Sequence, residues 1–343
     1  MACHDSLTCN NVIPPSTIMR TRPKSNRTII KTAVFLALHS TCLGAPLTAG
    51  AHAVDITPPF DSLIINGSFT ERTRGRMEPG DLHARCLVLD DGTTRIAMVV
   101  VDSCMLPREV CERAKALAFE ATGIDPGHIM ISATHTHSAP SVMDYCLGTR
   151  ADPRYPDFLT PKIAEGIARA DRARQPARIG WAQVSAPEFT HCRRWITRPD
   201  KMQNDPFGDR TVRAMMHPGY QNPAYIGPAG PVDDELSVLS VQSADGAPIA
   251  VLANYSMHYY GGCGPADYFG LFARGLARRL ARKDVEPVCM MTQGTSGDLH
   301  WMDYSQAKRG TEANLYTERL ATLAENALRG IVYRDAAPLA VDQ

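Results

Sequence analysis

The sequence predicts an α/β fold of two mixed β-sheets, each built from a hairpin, a helix and a further strand and covered by helices. Two observations predict it. Strand-like apolar runs are twice paired across an Asp-Gly step, at Asp91-Gly92 and Asp245-Gly246, and Asp-Gly supplies the positive φ that a tight hairpin turn requires. Each hairpin is followed by a segment of helical spacing and then by another apolar run. Crossovers of this kind are right-handed between parallel strands, and ligands bind beyond the carboxyl ends of those strands.

Residues 1–50 read as a targeting segment. Arg20, Arg22, Lys24, Arg27 and Lys31 precede the apolar run from Ala33 to Leu38, and small residues follow at Gly44-Ala45 and Ala49-Gly50. This is the pattern of a signal peptide, so a secreted or periplasmic protein is expected, with Met19 as an alternative start. The apolar run is too short to span a bilayer. The folded domain is expected over residues 51–343, from a strand-like run stopped at Pro58-Pro59.

The first hairpin pairs Arg85–Asp90 with Arg95–Val101, and Asp102 follows it directly. Helical spacing from Pro107 to Thr122 opens on proline and closes at Gly123. The β-branched run Ile129-Met-Ile-Ser-Ala133 then ends in Thr134-His135-Thr136-His137-Ser138. A helix over 158–173 and strands at 177–184 and 188–192 come next, the last delivering Arg193 and Arg194. Residues 196–231 are rich in Pro, Gly, Asn and Asp without periodicity, and read as a long loop over a site. The second hairpin, Leu236–Gln242 with Pro248–Tyr255, leads to His258. An amphipathic helix over 267–282, a strand at 288–291, the exit loop Gly294–His300 and a helix over 311–331 complete the pattern.

Composition narrows the function. With 36 basic and 36 acidic residues the formal net charge is zero, which argues against a nucleic-acid partner. Ten cysteines without CxxC spacing argue against a zinc ribbon. Cys86 and Cys289 sit in apolar runs as core residues, while bridges Cys104–Cys111 and Cys146–Cys192 stay open. If both units are wound alike, Asp102, His135, His137, His258, Asp298 and His300 all emerge at carboxyl edges. Neutral histidine is the commonest metal ligand, and a catalytic zinc has three protein ligands and a water. His135 and His258 as ligands would form half of a tetrahedral site, a carboxylate being the natural third, with Asp102 or Asp298 as the groups that orient them and His137 or His300 as a proton carrier. Arg193 or Arg194 can stabilise an oxyanion or hold a substrate carboxylate.

Val54-Asp-Ile-Thr-Pro58, the Thr134-His-Thr-His-Ser-Ala-Pro140 motif, Arg193-Arg194, Asn254-Tyr-Ser-Met-His258 and Gly294-Thr-Ser-Gly-Asp298 stand in one order. From about residue 50 to 330 the chain resembles the neutral/alkaline non-lysosomal ceramidase family, and more closely its compact bacterial relatives of unknown substrate. The resemblance implies zinc-dependent amide hydrolysis, ceramide being cleaved to sphingosine and fatty acid in characterised members. It implies a small-molecule or lipid amide substrate and peripheral contact with a membrane. By position it makes His135 and His258 zinc ligands, His137 their neighbour, and Arg194, ahead of Arg193, the arginine facing the reacting carbonyl. Two departures stand out. Gly297-Asp298-Leu299-His300-Trp301-Met302 replaces a Gly-Asp-Val-Ser-Pro-Asn segment, putting His300 where the family has serine. The family's glutamate and tyrosine ligands come from sequence beyond the equivalent of residue 343, so the chain reads as a domain truncated at its carboxyl end. Two alternatives remain, an inactive fragment or binding module, and a two-metal phosphoesterase.

Overall fold

Strand and helix limits follow the apolar patterning closely. The computed structural model describes residues 46–342 except 146, 147, 284 and 311, so the basic and apolar leader signals up to Leu38 lie outside the described residues. In chain order the first half contains β1 (Thr48–Asp55), β2 (Ser62–Ile65), β3 (Arg72–Gly75), β4 (His83–Asp90), β5 (Arg95–Val101), α1 (Arg108–Thr122), β6 (Ile129–Ala133) and α2 (Tyr155–Arg172). The second contains β7 (Gln175–Ser185), β8 (His191–Cys192), β9 (Arg194–Thr197), β10 (Ala214–Met216), β11 (Tyr225–Pro228), β12 (Glu235–Ser243), β13 (Pro248–Tyr255), α3 (Asp267–Leu280), β14 (Val288–Gln293), β15 (Leu299–His300) and α4 (Ala313–Leu328). Leu47 and Ala49 are buried, so the sheet starts a few residues ahead of residue 51.

The fold is the α/β class expected, and the hairpin-helix-strand unit occurs twice. The strand order is β14-β13-β12-β7-β1-β4-β5-β6. In each half a lone strand pairs antiparallel with a hairpin, whose second strand pairs parallel with the strand after the helix. The two units are continuous as one eight-stranded sheet, because β1 and β7 pair at Thr48–Pro176 and Ala49–Gln175. That junction is only two residues long and serves as a corner: β14 comes to lie against β4, β5 and β6. Two half-sheets thus face one another.

Burial alternates accordingly. On β4, Cys86 and Val88 pack under α1 and α2, with Ala114, Ala118, Leu159 and Ile163. Leu87 and Leu89 face the other way, onto Ile179, Val241 and Met290 of the second half. Phe272 and Leu276 of α3 with Leu320 of α4 cover the far side of that half. A strand buried on both faces reads as a continuous apolar run, as β4 does. Gly92 and Gly246 turn the two hairpins at φ 87° and 86°.

The stretch over 196–231, expected to be loop, carries the small sheet β10-β9-β11. Strands of three or four residues are too short to show an alternation, so their pattern is invisible in sequence. The strand expected at 188–192 shrinks to His191–Cys192, which pairs with Leu299–His300. Cys111 and Cys192 are free thiols, so neither open disulfide is formed.

Asp102 lies where β5 ends, with none of its surface exposed. Its carboxylate bonds Arg85 Nη1 at 2.8 Å and accepts the His83 N–H at 2.9 Å. It holds the end of the hairpin together and makes no hydrogen bond to a histidine ring among the described residues. Removing one partner of a buried ion pair strands the other charge, so Asp102→Ala should lower the unfolding free energy by about 3–5 kcal/mol. Denaturant titration measures this, and a loss below about 1 kcal/mol is what an exposed pair would give.

Candidate metal centre

The carboxyl ends of β6 and β13 meet. The ladder of β6 runs on past its last residue, with Thr134 N–H on Val101 O and His135 N–H on Ser103 O, both at 2.9 Å. His135 then takes φ 67°, a left-handed conformation that histidine tolerates better than most residues. The turn brings its Nδ1 to Cys104 O at 2.9 Å, while His258 places Nδ1 on Ser296 O at 3.0 Å. A carbonyl oxygen only accepts, so Nδ1 carries the proton in both rings and Nε2 keeps its lone pair.

His137 completes a trio. Its Nε2 is 3.2 Å from Nε2 of His135. Ring centroids are 4.8 Å apart for His135 and His137, 4.7 Å for His135 and His258, and 5.3 Å for His137 and His258, all near edge-to-face. Two imidazole nitrogens on one tetrahedral zinc stand roughly 3.3 Å apart, with centroids roughly 5 Å apart. The spacing of the three rings is close to that geometry. Cys104, His135 and His137 form a tighter potential metal-binding group, their donor atoms within 4.8 Å of one another. Cys104 Sγ, however, lies 3.8 Å from His135 Nδ1, the edge of that ring already bonded to a carbonyl. Among the described residues no carboxylate forms an ion pair with any of these imidazoles, and no second ligand group beside His137 offers the carboxylates that a two-metal phosphoesterase needs.

Burial keeps the trio neutral. Loss of hydration is the largest cause in each case, lowering His135, taking His137 to about 3 with help from His135 and His258, and taking His258 to about 4 with help from Arg193. Room for His137 comes from Gly67, at φ 89°, where a Cβ would come within 2.5 Å of the His137 side chain. Arg72 ties down the loop by donating to Asn66 O and His137 O, each at 2.7 Å.

The arginine beside the histidines is Arg193, half-buried, with Nε and Nη2 donating to Gly297 O at 3.2 and 2.6 Å. Arg194 is exposed on β9, paired across to Met216. Sequence favoured Arg194; neighbouring positions point to opposite sides of extended chain, and only the register decides between them. Asp298 lends its backbone oxygen to Arg193 N–H at 2.8 Å and makes no hydrogen bond or ion pair to a histidine among the described residues. The backbone carbonyls of Cys104 and Ser296 do the orienting instead.

His300 belongs to a second cluster with His217, centroids 5.4 Å apart, which sequence missed because His217 sits in the aperiodic stretch. Tyr259 stands between the clusters, stacked on His137 at 3.8 Å and edge-on to His300 at 5.7 Å. Its position directly after His258 was the available signal. His217 Nδ1 and Tyr304 Oη share a short hydrogen bond.

The fold and site together define an α/β protein with a histidine-rich candidate metal group at converging strand ends. The sequence matches no family model and no curated protein. The fold is similar to that of neutral ceramidase from Pseudomonas aeruginosa, with a TM-score of 0.61 and 18% identity, covering 84% of this chain and 45% of that one. A ceramidase structure complexed with C2 is similar at a TM-score of 0.59 and 20% identity, over 82% of this chain and 44% of that one. The chain therefore has a ceramidase-like fold and spans less than half the length of the ceramidases it matches. No helix among the described residues is long and apolar enough to cross a membrane.

His300 gives a pH test. Burial chiefly, then His217 and Arg193, hold its imidazole down to about 3. An unfolded histidine protonates near 6.5, so below that pH the unfolded chain gains a proton that the folded chain refuses. Stability from this group is full above about pH 6.5 and falls as pH drops towards 3, by about 2 kcal/mol between pH 7 and 5. Denaturant midpoints of wild type and His300→Gln across that range should differ in slope by this amount.

Proposed function

We propose that this chain is a zinc-dependent hydrolase that cleaves the amide bond of a lipid N-acyl amide, ceramide or a related compound. The observation that carries the reading is the convergence of His135, His137 and His258, with Nδ1 of His135 and His258 committed to carbonyls and two Nε2 atoms 3.2 Å apart. The similarity of the fold to ceramidase structures supports it. His135 and His258 would hold the ion, with His137 as the third imidazole. A bound zinc ion supplies a nucleophile usable at neutral pH and polarises the carbonyl under attack. The low proton affinity of His137 suits a ligand better than a general base, which works best with a pKa near the operating pH. Arg193 places a permanent positive charge beside these rings, and Tyr259 forms the wall against which His137 is stacked.

A second reading, a metal-binding module without turnover, draws on the absence of any carboxylate in the candidate metal group among the described residues. One experiment separates the two. Purified full chain should take up about one zinc ion, with affinity reduced at least ~100-fold in His135→Ala and His258→Ala. Hydrolysis of a panel of N-acyl amides then marks the hydrolase; zinc uptake without turnover marks the module. Unchanged zinc uptake in His135→Ala would sink both. We further propose export from the cytoplasm, supported by the basic and apolar residues from Arg20 to Leu38. N-terminal sequencing of secreted or periplasmic protein should find this stretch removed, and an intact terminus in the cytosol counts against it.

A further inference from the structure

Arg193 is a half-buried cation. Among the described residues it joins no ion pair, and its Nε and Nη2 reach only the carbonyl of Gly297, leaving Nη1 unengaged. Beside it the backbone N–H of His217 donates to Arg193 O at 2.8 Å, and His217 and His300 meet edge-to-face. His300 is 2% exposed, yet its Nδ1 has no hydrogen-bond partner. A buried polar atom left alone costs about 1–3 kcal/mol, so it points to a group that is not part of the protein. The guanidinium weighs against that group being a second cation. It lowers the proton affinity of both His217 and His300, Asp298 acting on it only at longer range.

We propose that Arg193, His217 and His300 bind the carboxylate of an anionic amide substrate, of which an N-acyl amino acid is the simplest member. The proposal rests on the hydrolase reading and narrows its substrate class. Position within the site argues for a substituent of the substrate rather than the reacting carbonyl. His300 touches His217, Tyr259 and Trp301, and the Tyr259 ring separates it from His137. An oxygen held there lies a ring's breadth from the metal-binding trio, too far to be the atom under attack but in reach of a group a few bonds away. Guanidinium is the side chain best shaped to take a carboxylate, and the unpartnered Nδ1 of His300 adds a donor in the tautomer that protonates it.

The test compares N-acylglycines with N-acylethanolamines of equal chain length, which differ in the carboxylate alone. The zinc-loaded full chain should prefer the N-acylglycine by roughly tenfold or more in kcat/KM, through KM, and Arg193→Gln should shrink that ratio towards one. Binding is read separately. N-acetylglycine should shift the histidine NMR resonances of zinc-free protein, and should fail to do so in Arg193→Gln and His300→Phe, with circular dichroism reporting that both variants fold. Equal or greater activity on the ethanolamides overturns the proposal. So does tighter binding of inorganic phosphate than of N-acetylglycine, which would make this a phosphate site. If N-acetylglycine binds through Arg193 while no amide is cleaved, the carboxylate site stands and the hydrolase reading falls.

Discussion

Two backbone carbonyls, those of Cys104 and Ser296, decide what the histidines of this protein can do. Each accepts a hydrogen bond from the Nδ1–H of one imidazole, at 2.9 and 3.0 Å, and so leaves Nε2 as the unprotonated nitrogen. The pairing is crossed between equivalent places in the two halves. His135 follows the last strand of its half and bonds the carbonyl after the strand beside it; His258 follows the second hairpin strand and bonds the carbonyl after the last. Both contacts join the exits of two parallel neighbours, which is where an α/β sheet presents its loops.

Neither half has the trio by itself. His135 and His137 come from one, His258 from the other, and they meet because the half-sheets are packed face to face. Leu87 and Leu89 against Val241 and Met290 supply the apolar contact that holds the two carboxyl edges in register. The β1–β7 corner, two residue pairs long, makes that packing possible without separating the sheets. Burial of apolar area is non-directional, but here it positions a directional site.

Electrostatically the site is lopsided. Five imidazoles and one guanidinium gather with no carboxylate in ion-pair contact among the described residues, and Tyr259 divides them into a metal-facing trio and an arginine-facing pair. Low dielectric surroundings keep the imidazoles neutral and magnify the one permanent charge. Such a field favours oxygen-rich, electron-rich ligands, whether the carbonyl under attack or a substituent nearby.

The hairpins at Asp91-Gly92 and Asp245-Gly246, the helix between Pro107 and Gly123, and the repetition of the unit were legible by eye, because turn chemistry and periodicity are local. His135, His137 and His258 were legible as candidates for the same reason: each follows a strand signal. The small sheet of β9, β10 and β11 was not, since strands of three or four residues carry too few alternations. With it went His217, and the choice between Arg193 and Arg194 depended on a register that a single residue of slippage reverses. Asp102 shows the opposite error. Its place at a strand end suggested a partner for histidine, but Arg85, one strand away, claims its carboxylate.

By itself, then, the sequence determined which residue types stand at which strand ends, since backbone preference and apolar spacing act over a few neighbours. Tertiary structure alone decided which of them come together, which nitrogen each ring leaves unprotonated and which arginine lies beside them. Those properties come from contacts between residues 31, 38 and 104 positions apart, and no local pattern encodes the distance between them.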